Sequence, residues 1–558
     1  MANSTTLDAN ISNTTKAFNW FSVFLFLGIA LQATSLTNGI MEVDATLYAT
    51  IAKHIAITND WVNLIGDGHD WLDKPHLPFW ITATSFKVFG INDFAYKFPA
   101  FISFLLGVLY TYKLTKKMFG IAEAQVATLI YITTLHLFLA MFDVRAEAYL
   151  TTFIIAATYH LYQSFSTKFS WHIVWAALFC AAACMTKGIF VLITIAGGFF
   201  IYWIYTQQWK EFIQPKWWLL ILLVFIGILP EIYCLYQQFD MHPEKIVFGK
   251  TGVSGILFFF WDSQFGRFLN NGPIKGKGDL FFFIHTFIWA FLPWSLLAYV
   301  ALFQSFKKLN SQLLILTGSA IVTFLLFSLS KFQLPHYIVI LFPHFAILSA
   351  IYLVHLSKPK ILKIWNIVQF IIFIIAVITI VALTFITKFY AIAWPISLAL
   401  AISFVVYYFF RGNRLNDLLG KGFCFSTVLF SYLNFFFYPA LMEYQGGKKA
   451  GEVVVNLRPK KTIIMYNTSA YSFEWYAKDI IFRSNNLNKL PEAIQQTKSV
   501  IVFTIPEHLP ALYNEVAGAK EIGRFQQYPV SQLSMPFLQS ESRNKELKYV
   551  VLLDCTLK

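Results

Sequence analysis

The sequence predicts a mainly α-helical, polytopic transmembrane protein that ends in a small soluble α/β domain, and three observations support this fold class. Hydrophobic residues make up 57% of the 558 residues. Charged residues make up only 13%, whereas soluble globular domains carry about 25%. Near residue 446 the charged fraction rises and short strand-like runs begin. We therefore predict a transmembrane domain over residues 1–445 and a soluble domain over residues 446–558.

About thirteen apolar segments approach the roughly 20 residues that a membrane-spanning helix needs. They lie near residues 18–36, 98–112, 121–140, 147–165, 171–186, 189–206, 217–236, 280–303, 312–328, 337–355, 362–386, 390–410 and 422–440. Helices are expected because lipid offers no hydrogen-bond partner to an open backbone. No small-residue cleavage site follows the first segment, so we interpret it as an uncleaved signal anchor.

Lysine and arginine residues in alternate short loops predict the orientation, because loops of this kind stay in the cytoplasm. The residues concerned are Lys113, Lys116, Lys117, Lys168, Lys210, Lys216, Lys307, Lys308, Lys358, Lys360, Lys363, Arg411, Arg414 and Lys421. The long loops 37–97 and 237–279 and the C-terminal domain then lie on the outer face. A multi-pass protein of a bacterial inner membrane with a periplasmic C-terminal domain fits this arrangement.

The residue composition also excludes several classes of protein. A net charge of +14 would suggest nucleic-acid binding in a soluble protein. Here the cations lie mostly between apolar segments, where they indicate topology and contacts with anionic membrane lipids. Membrane lipids are therefore expected partners and nucleic acids are not. The five cysteines show no spacing typical of a disulfide framework or a zinc cluster.

The soluble domain is predicted from three strand-like runs, Thr462–Tyr466, Ser499–Thr504 and Tyr549–Leu553. Each is short, rich in β-branched or aromatic residues and flanked by polar residues, which is typical of buried strands. Polar, helix-compatible stretches such as 489–497 lie between them. This alternation favours an α/β domain.

The first outer loop contains the clearest candidate for chemistry. Asp44 follows the first apolar segment, and apolar residues recur at helical spacing as far as Ile57, which predicts an interfacial helix. Asp73 and Lys74 come later in the same loop. A carboxylate can take a proton from a hydroxyl, and a lysine can stabilise an anionic leaving group. Alternatively, these residues are interfacial charges whose side chains reach into water.

A second group of charges lies at the outer ends of the next segments. Arg145 precedes the apolar segment that starts near residue 147, and Glu147 begins it. An acid at the start of a helix interacts favourably with the helix dipole. Lys187 lies between two apolar segments, and a lysine at bilayer depth is costly unless it has a partner. These residues either belong to a site or form a helix cap with a local ion pair.

A third group lies in and after the second long loop. Arg267 could bind a phosphate through two hydrogen bonds, and Lys331 and Tyr337 begin a later segment. His285 lies inside an apolar segment, where it is either a metal ligand or a polar contact. Cations at several sites on one membrane face predict an anionic substrate, and lipid phosphates fit best.

The order of these motifs resembles the polyprenyl-phosphate-dependent glycosyltransferases of the GT-C fold. Within them, the chain is most similar to the lipid A aminoarabinose transferases and the protein O-mannosyltransferases. The matching motifs are Asp44 after the first span, Asn59-Asp60-Trp61, Asp73-Lys74-Pro75, Phe89-Gly90-Ile91-Asn92-Asp93-Phe94-Ala95, Thr186-Lys187-Gly188, Arg267-Phe268, Pro293-Trp294 and Leu334-Pro335 with Tyr337. The resemblance extends over most of residues 18–440.

The resemblance implies a role for each candidate residue. Asp44 and Asp73 would be catalytic, and the donor phosphate would be bound by a second set of residues. That set is Lys74, Arg267, Tyr337 and Lys331, with support from Arg145, Glu147 and Lys187. A divalent metal would be bound by Asp73 and a histidine, for which His285 is the candidate; no other cofactor is implied.

The reaction implied by the resemblance moves a sugar from a polyprenyl-phosphate donor to a lipid A, glycan or protein acceptor, with inversion. The chain departs from the aminoarabinose transferases at Leu47, which replaces Arg, at Asp73, which replaces Glu, and at Gln333, which replaces Lys, whereas Tyr48 matches their Tyr. A transporter or flippase of lipid-linked sugars remains an alternative. Transporters usually contain internal repeats and midplane charges, whereas here the charges gather at one interface and no repeat is visible. An assembly protein with a periplasmic domain would leave the Asp44 loop unexplained.

Overall fold

The computed structural model describes residues 21–165, 169–307, 311–389, 414–457, 461–489 and 499–557, together with Ala399 and Ser403. Within these residues the chain is mainly helical, with a five-stranded sheet near the C-terminal end. Several predicted features lie outside the described residues. They are Lys168, Lys308, Arg411, nearly all of the apolar segment 390–410 and most of the stretch 489–497.

The first half of the chain forms helices that are joined by short connections, except in the loop that contains a small hairpin. The helices are α1 Phe21–Thr37 and α2 Asp44–Thr58, α3 Leu77–Phe89, α4 Asp93–Met118, α5 Ile121–Ile132, α6 Leu135–Phe142, α7 Ala146–Gln163, α8 Trp171–Lys187, α9 Val191–Tyr205 and α10 Pro215–Leu235. A π-helical segment, Tyr236–Asp240, continues α10. The hairpin pairs β1 Ile65–Gly66 with β2 His69–Asp70.

The second half continues with helices and then with the sheet. The helices are α11 255–269, α12 Phe282–Ala290, α13 Ser295–Lys307, α14 Ser311–Leu329, α15 Phe342–Val354, α16 Pro359–Thr387, α17 Arg414–Tyr432 with its continuation to Met442, α18 Gly446–Asn456, α19 Tyr471–Tyr476, α20 Leu509–Glu515, α21 Met535–Leu538 and α22 Arg543–Glu546. A 3-10 segment, Pro335–Leu341, precedes α15.

Six described helices are long and apolar enough to cross a membrane, or seven if the bent pair α5 and α6 is one span. The mainly helical, multi-pass architecture is therefore confirmed, whereas the number of thirteen spans is not. One reason is that an apolar segment of the sequence does not always form one continuous helix. The segment predicted at 280–303 is divided between α12 and α13 at Pro293, because proline cannot donate to the preceding turn, and α5 and α6 meet at 55°.

The sheet lies where the soluble α/β domain is predicted. Its strands are β3 Thr462–Tyr466, β4 Phe482–Ser484, β5 Ser499–Thr504, β6 Val516–Gln527 and β7 Lys548–Leu557, in the order β4-β3-β5-β7-β6. β4, β3 and β5 are parallel, and β7 and β6 are antiparallel to their neighbours. Alternate residues of β5 are buried on opposite faces, with Val502 in one cluster and Phe503 in the other. The boundary near residue 446 stays a prediction.

The region around α19 packs directly on the first outer loop. Ser472 at the start of α19 donates hydrogen bonds to the carboxylate of Glu42. Arg483 of β4 forms an ion pair with Asp67 at 2.5 Å. The Nζ of Lys53, a buried residue of α2, donates to the carbonyl oxygen of Asp479 at 2.7 Å. These contacts place α19 beside the residues that follow Glu42 and therefore beside α2.

Candidate active site

Two cavities meet at one end of the helices, beside residues of the loops 37–97 and 237–279. One is polar, has a volume of about 810 Å³ and opens beside the hairpin and α2. The other has a volume of about 420 Å³ and is mostly apolar, with walls from α9, α10, α11 and α14. Seven residues line both cavities, namely Leu72, Asp73, Lys74, Lys187, Arg267, Phe332 and Tyr337. The junction of the cavities is therefore rich in cations.

Asp44 lies in the wall of the polar cavity. It is the first residue of α2, and its side chain is 42% exposed. Its carboxylate forms an ion pair with Arg145, which also contacts Asp143 at 2.6 Å. Tyr48, one turn further along α2, lines the same cavity. Asp44 is therefore a charged carboxylate that is held on one side and open to the cavity on the other.

Asp73 holds two cations at the junction. One carboxylate oxygen lies 2.6 Å from the Nζ of Lys74, and the other forms an ion pair with Arg267, 194 residues away. Burial raises the pKa of Asp73, but the charges of Lys74 and Arg267 outweigh burial and hold the pKa well below its usual range. The Nε of Arg267 is buried without a partner among the described residues.

A buried ion pair lies next to this junction. Glu147, in the first turn of α7, pairs with Lys187 at the end of α8. The Nζ of Lys187 also lies 3.6 Å from the ring centre of Tyr337, which favours a cation over its face. His336 lies 3.9 Å from Glu147. Lys187 thus connects the junction to Glu147, which lines the polar cavity together with Arg145.

The candidate Lys331 and its neighbour Gln333 lie away from these cavities. Lys331 is exposed and lines neither cavity in the described part of the chain. Gln333, at the position where the related transferases carry lysine, accepts from the N–H of Asp279 at 2.8 Å and donates to the carbonyl oxygen of Phe327. Gln333 therefore joins the second outer loop to the end of α14 rather than facing the junction.

The structure does not place His285 beside Asp73. His285 is exposed on α12 and lies 3.9 Å from Asp279. Both oxygens of Asp73 are paired with cations, and the described residues contain no group of three or more His, Cys, Asp or Glu that could bind a metal. This donor set does not fit a divalent metal, because metal ligands must be free to coordinate.

Sequence reasoning missed Glu231 and His76, which are buried together beside the apolar cavity. The Nδ1 of His76 lies 3.0 Å from the carboxylate of Glu231. Burial lowers the pKa of His76, but the Glu231 carboxylate reverses this and raises the pKa above its usual value. An acidic residue within an apolar helix is a signal of function or of a specific partner, and Glu231 shows that signal.

Three comparisons with known proteins relate this chain to glycosyltransferases. The model of the dolichyl-phosphate-mannose-protein mannosyltransferase family matches residues 73–234. An uncharacterised protein of Aquifex aeolicus is 25% identical over 467 residues, which cover 83% of this chain and 87% of that protein. The undecaprenyl phosphate-alpha-4-amino-4-deoxy-L-arabinose arabinosyl transferase of Edwardsiella ictaluri is 25% identical over 352 residues. That match covers 61% of this chain and only 60% of the Edwardsiella enzyme.

The fold has a close counterpart among solved structures. The crystal structure of ArnT from Cupriavidus metallidurans bound to undecaprenyl phosphate matches with a TM-score of 0.72. The match covers 96% of this chain and 98% of ArnT, at 17% identity, so it shows a shared fold. Together the matches show that the chain has the fold of ArnT and is similar to two groups of glycosyltransferases, the aminoarabinose transferases and the protein mannosyltransferases.

Proposed function

We propose that the protein transfers a sugar from a polyprenyl-phosphate donor to a lipid, glycan or protein acceptor at the outer face of the inner membrane. The main support is the junction of the two cavities, where Lys74 and Arg267 lie between an apolar and a polar space. A polyprenyl-phosphate sugar has the same order of parts, since an anionic phosphate separates an apolar chain from a polar sugar. The polyprenyl chain of the donor would lie in the apolar cavity, and its sugar would lie in the polar cavity.

In this arrangement Asp44 faces the sugar and its acceptor. Asp44 takes a proton from an acceptor hydroxyl as the hydroxyl oxygen attacks the anomeric carbon. The bond between that carbon and the phosphate oxygen breaks, and the polyprenyl phosphate leaves with its electron pair. Lys74 and Arg267 stabilise the developing negative charge. Attack from the face opposite to the phosphate inverts the configuration.

The C-terminal region supplies part of the polar cavity. Tyr471, the first residue of α19, lines this cavity together with Asp67 and Trp71 of the first outer loop. An aromatic ring at this position offers a flat apolar surface with a polar end. We propose that this periplasmic region covers the cavity and guides the acceptor, and that the acceptor enters beside Tyr471.

Donor binding tests the proposal most directly. Replacing Lys74 or Arg267 with Ala is expected to weaken binding of undecaprenyl phosphate by about 1.5–3 kcal/mol, because each loses a hydrogen bond to a charged group. The affinity is measured with the purified protein in detergent. Lys277→Ala is the matched control, because it removes one exposed cation from the outer loop that contains Arg267. It should leave the affinity unchanged. Equal affinity in all variants would contradict the proposed phosphate site.

Turnover in detergent distinguishes an enzyme that transfers sugar from a flippase, because a detergent micelle has no second side. With a polyprenyl-phosphate sugar and an acceptor present, the protein should release polyprenyl phosphate and glycosylated acceptor in equal amounts. A flippase would release neither.

The periplasmic location of the C-terminal region is testable with a reporter. A reporter that is active only in the periplasm, fused after Lys558, should be active in intact cells, because the cation-rich loops are expected in the cytoplasm. The same reporter fused at Lys358, in the loop before α16, should be inactive. The reverse result would place the cavities on the cytoplasmic side.

A further inference from the structure

Helix α10 and its π-helical continuation contain two fully buried polar side chains, Glu231 and Gln238, both 0% exposed. They are seven positions apart, which is about two helical turns, so they follow one another along the same side. The most apolar 18 residues of the segment Pro215–Asp240 have a mean hydropathy of 2.4. Burying a carboxylate and an amide here is costly unless both are hydrogen-bonded, so their partners are informative.

Glu231 binds the residue that follows the Asp73-Lys74-Pro75 motif. Its carboxylate accepts from the backbone N–H of His76 at 2.9 Å and lies 3.0 Å from the Nδ1 of the same residue. The Nε2 of His76 lies 2.9 Å from the carbonyl oxygen of Val62. Because a carbonyl can only accept, that nitrogen carries a proton. His76 is therefore fixed at its backbone and at both ring nitrogens.

Gln238 binds the other end of the same loop. Its Oε1 accepts from the N–H of Leu64 at 3.0 Å, and its Nε2 donates to the carbonyl oxygen of Leu64 at 2.9 Å. The same Nε2 also lies 2.9 Å from a carboxylate oxygen of Asp70. The amide thus pairs with both backbone groups of one residue, as a neighbouring strand would, and holds the base of the hairpin.

These two contacts bracket the phosphate-binding residue proposed above. Leu64 lies ten residues before Lys74 and His76 lies two residues after it. Glu231 and Leu235 also line the apolar cavity. One helix therefore forms a wall of the apolar cavity and fixes both ends of the loop that carries Lys74 to the junction.

We propose that Glu231 and Gln238 are positioning residues, which set the height of Lys74 at the junction so that its ammonium group meets the phosphate of a lipid whose chain lies against α10. This inference rests on the proposed function. Neither residue touches the reacting atoms. Both act through Lys74. The effect of replacing either residue on phosphate binding should therefore depend on whether Lys74 is present, which a general loss of stability would not produce.

Binding of undecaprenyl phosphate to the purified full-length protein is the first measurement. Glu231→Ala and Gln238→Ala should each weaken binding about tenfold, since each removes the hydrogen bonds that hold one end of the loop carrying Lys74. Glu231→Gln should stay within about twofold of the unmodified protein, because an amide can accept from the N–H of His76 and donate to its ring. Gln237→Ala, at the neighbouring half-buried position, is the matched control and should leave binding unchanged.

A double-mutant cycle gives the decisive result. In a Lys74→Ala background, Glu231→Ala should weaken binding by less than about twofold, because the group that it positions is already gone. Losses that multiply would overturn the proposal, and so would unchanged binding in both alanine variants. If Glu231→Ala does not fold, the same cycle is measured with Gln238→Ala. Failure of the unmodified protein to bind undecaprenyl phosphate would instead contradict the proposed function, which keeps the two outcomes distinct.

Discussion

Replacing Asp44 with Asn should lower turnover by about 10²- to 10⁴-fold, the contribution typical of a general base, while binding of undecaprenyl phosphate stays unchanged. Asn keeps the size and shape of the side chain but cannot take up the proton of an acceptor hydroxyl. Arg145 keeps Asp143 as a partner at 2.6 Å, so the substitution should not leave a buried charge alone. The phosphate-binding cations keep their own partner, Asp73.

The measurement is the rate of polyprenyl-phosphate release with donor and acceptor at saturation. Asp279→Asn provides the control, because it removes an exposed carboxylate from the same membrane face outside the cavities. Near-normal turnover in Asp44→Asn would exclude Asp44 as the base. If the acceptor is itself a phosphate, no proton has to be removed, and the pH profile of the unmodified protein should then lack a base limb.

Glu147→Ala should destabilise the protein by about 3–5 kcal/mol, the cost of removing one partner from a buried ion pair. Glu147 is 1% exposed and Lys187 is 10% exposed, so Lys187 would remain buried without its carboxylate. The stability is measured by chemical or thermal unfolding in detergent. The midpoint of unfolding should fall far more in Glu147→Ala than in Glu521→Ala, which breaks an exposed ion pair. The partner of Glu521 in that pair is Arg524, which is 46% exposed.

A double replacement separates the ion pair from simple packing. Glu147→Leu combined with Lys187→Met removes both charges and keeps the volume, which costs much less than breaking the pair and is often neutral. If the single and double variants lost the same stability, the energetic role assigned to the pair would be incorrect.

Three of the five strands of the C-terminal sheet could be predicted because local residue patterns determine them, whereas the short β4 and the largely exposed β6 were missed. The runs at 462–466 and 499–504 coincide with β3 and β5, since β-branched residues such as Ile463 and Val500 are concentrated there between polar flanks. Helices in the membrane region are harder to delimit. The apolar average over 280–303 conceals Pro293, where the structure changes from one helix to the next.

The candidate site was only partly accessible to sequence reasoning. The residue types at Asp73 and Arg267 indicate an anion site, but their contact joins positions 194 residues apart, and no local pattern encodes that pairing. Lys331 and His285 are plausible by residue type, yet both are exposed and neither lines either cavity, because the residue type alone does not determine which surface a side chain reaches. Glu231 was missed since a hydropathy average over α10 masks a single acid.

Asp73 has a consequence for the speed of product release. In the structure this carboxylate already neutralises Lys74 and Arg267, so an arriving phosphate exchanges one anionic partner for another instead of meeting bare cations. The gain in free energy on binding is smaller than two new ion pairs would provide, and the departing lipid phosphate leaves behind cations that the carboxylate can neutralise again. In the proposed reaction this exchange shortens the time that the lipid phosphate stays at the site, so that the carrier can be released in every cycle.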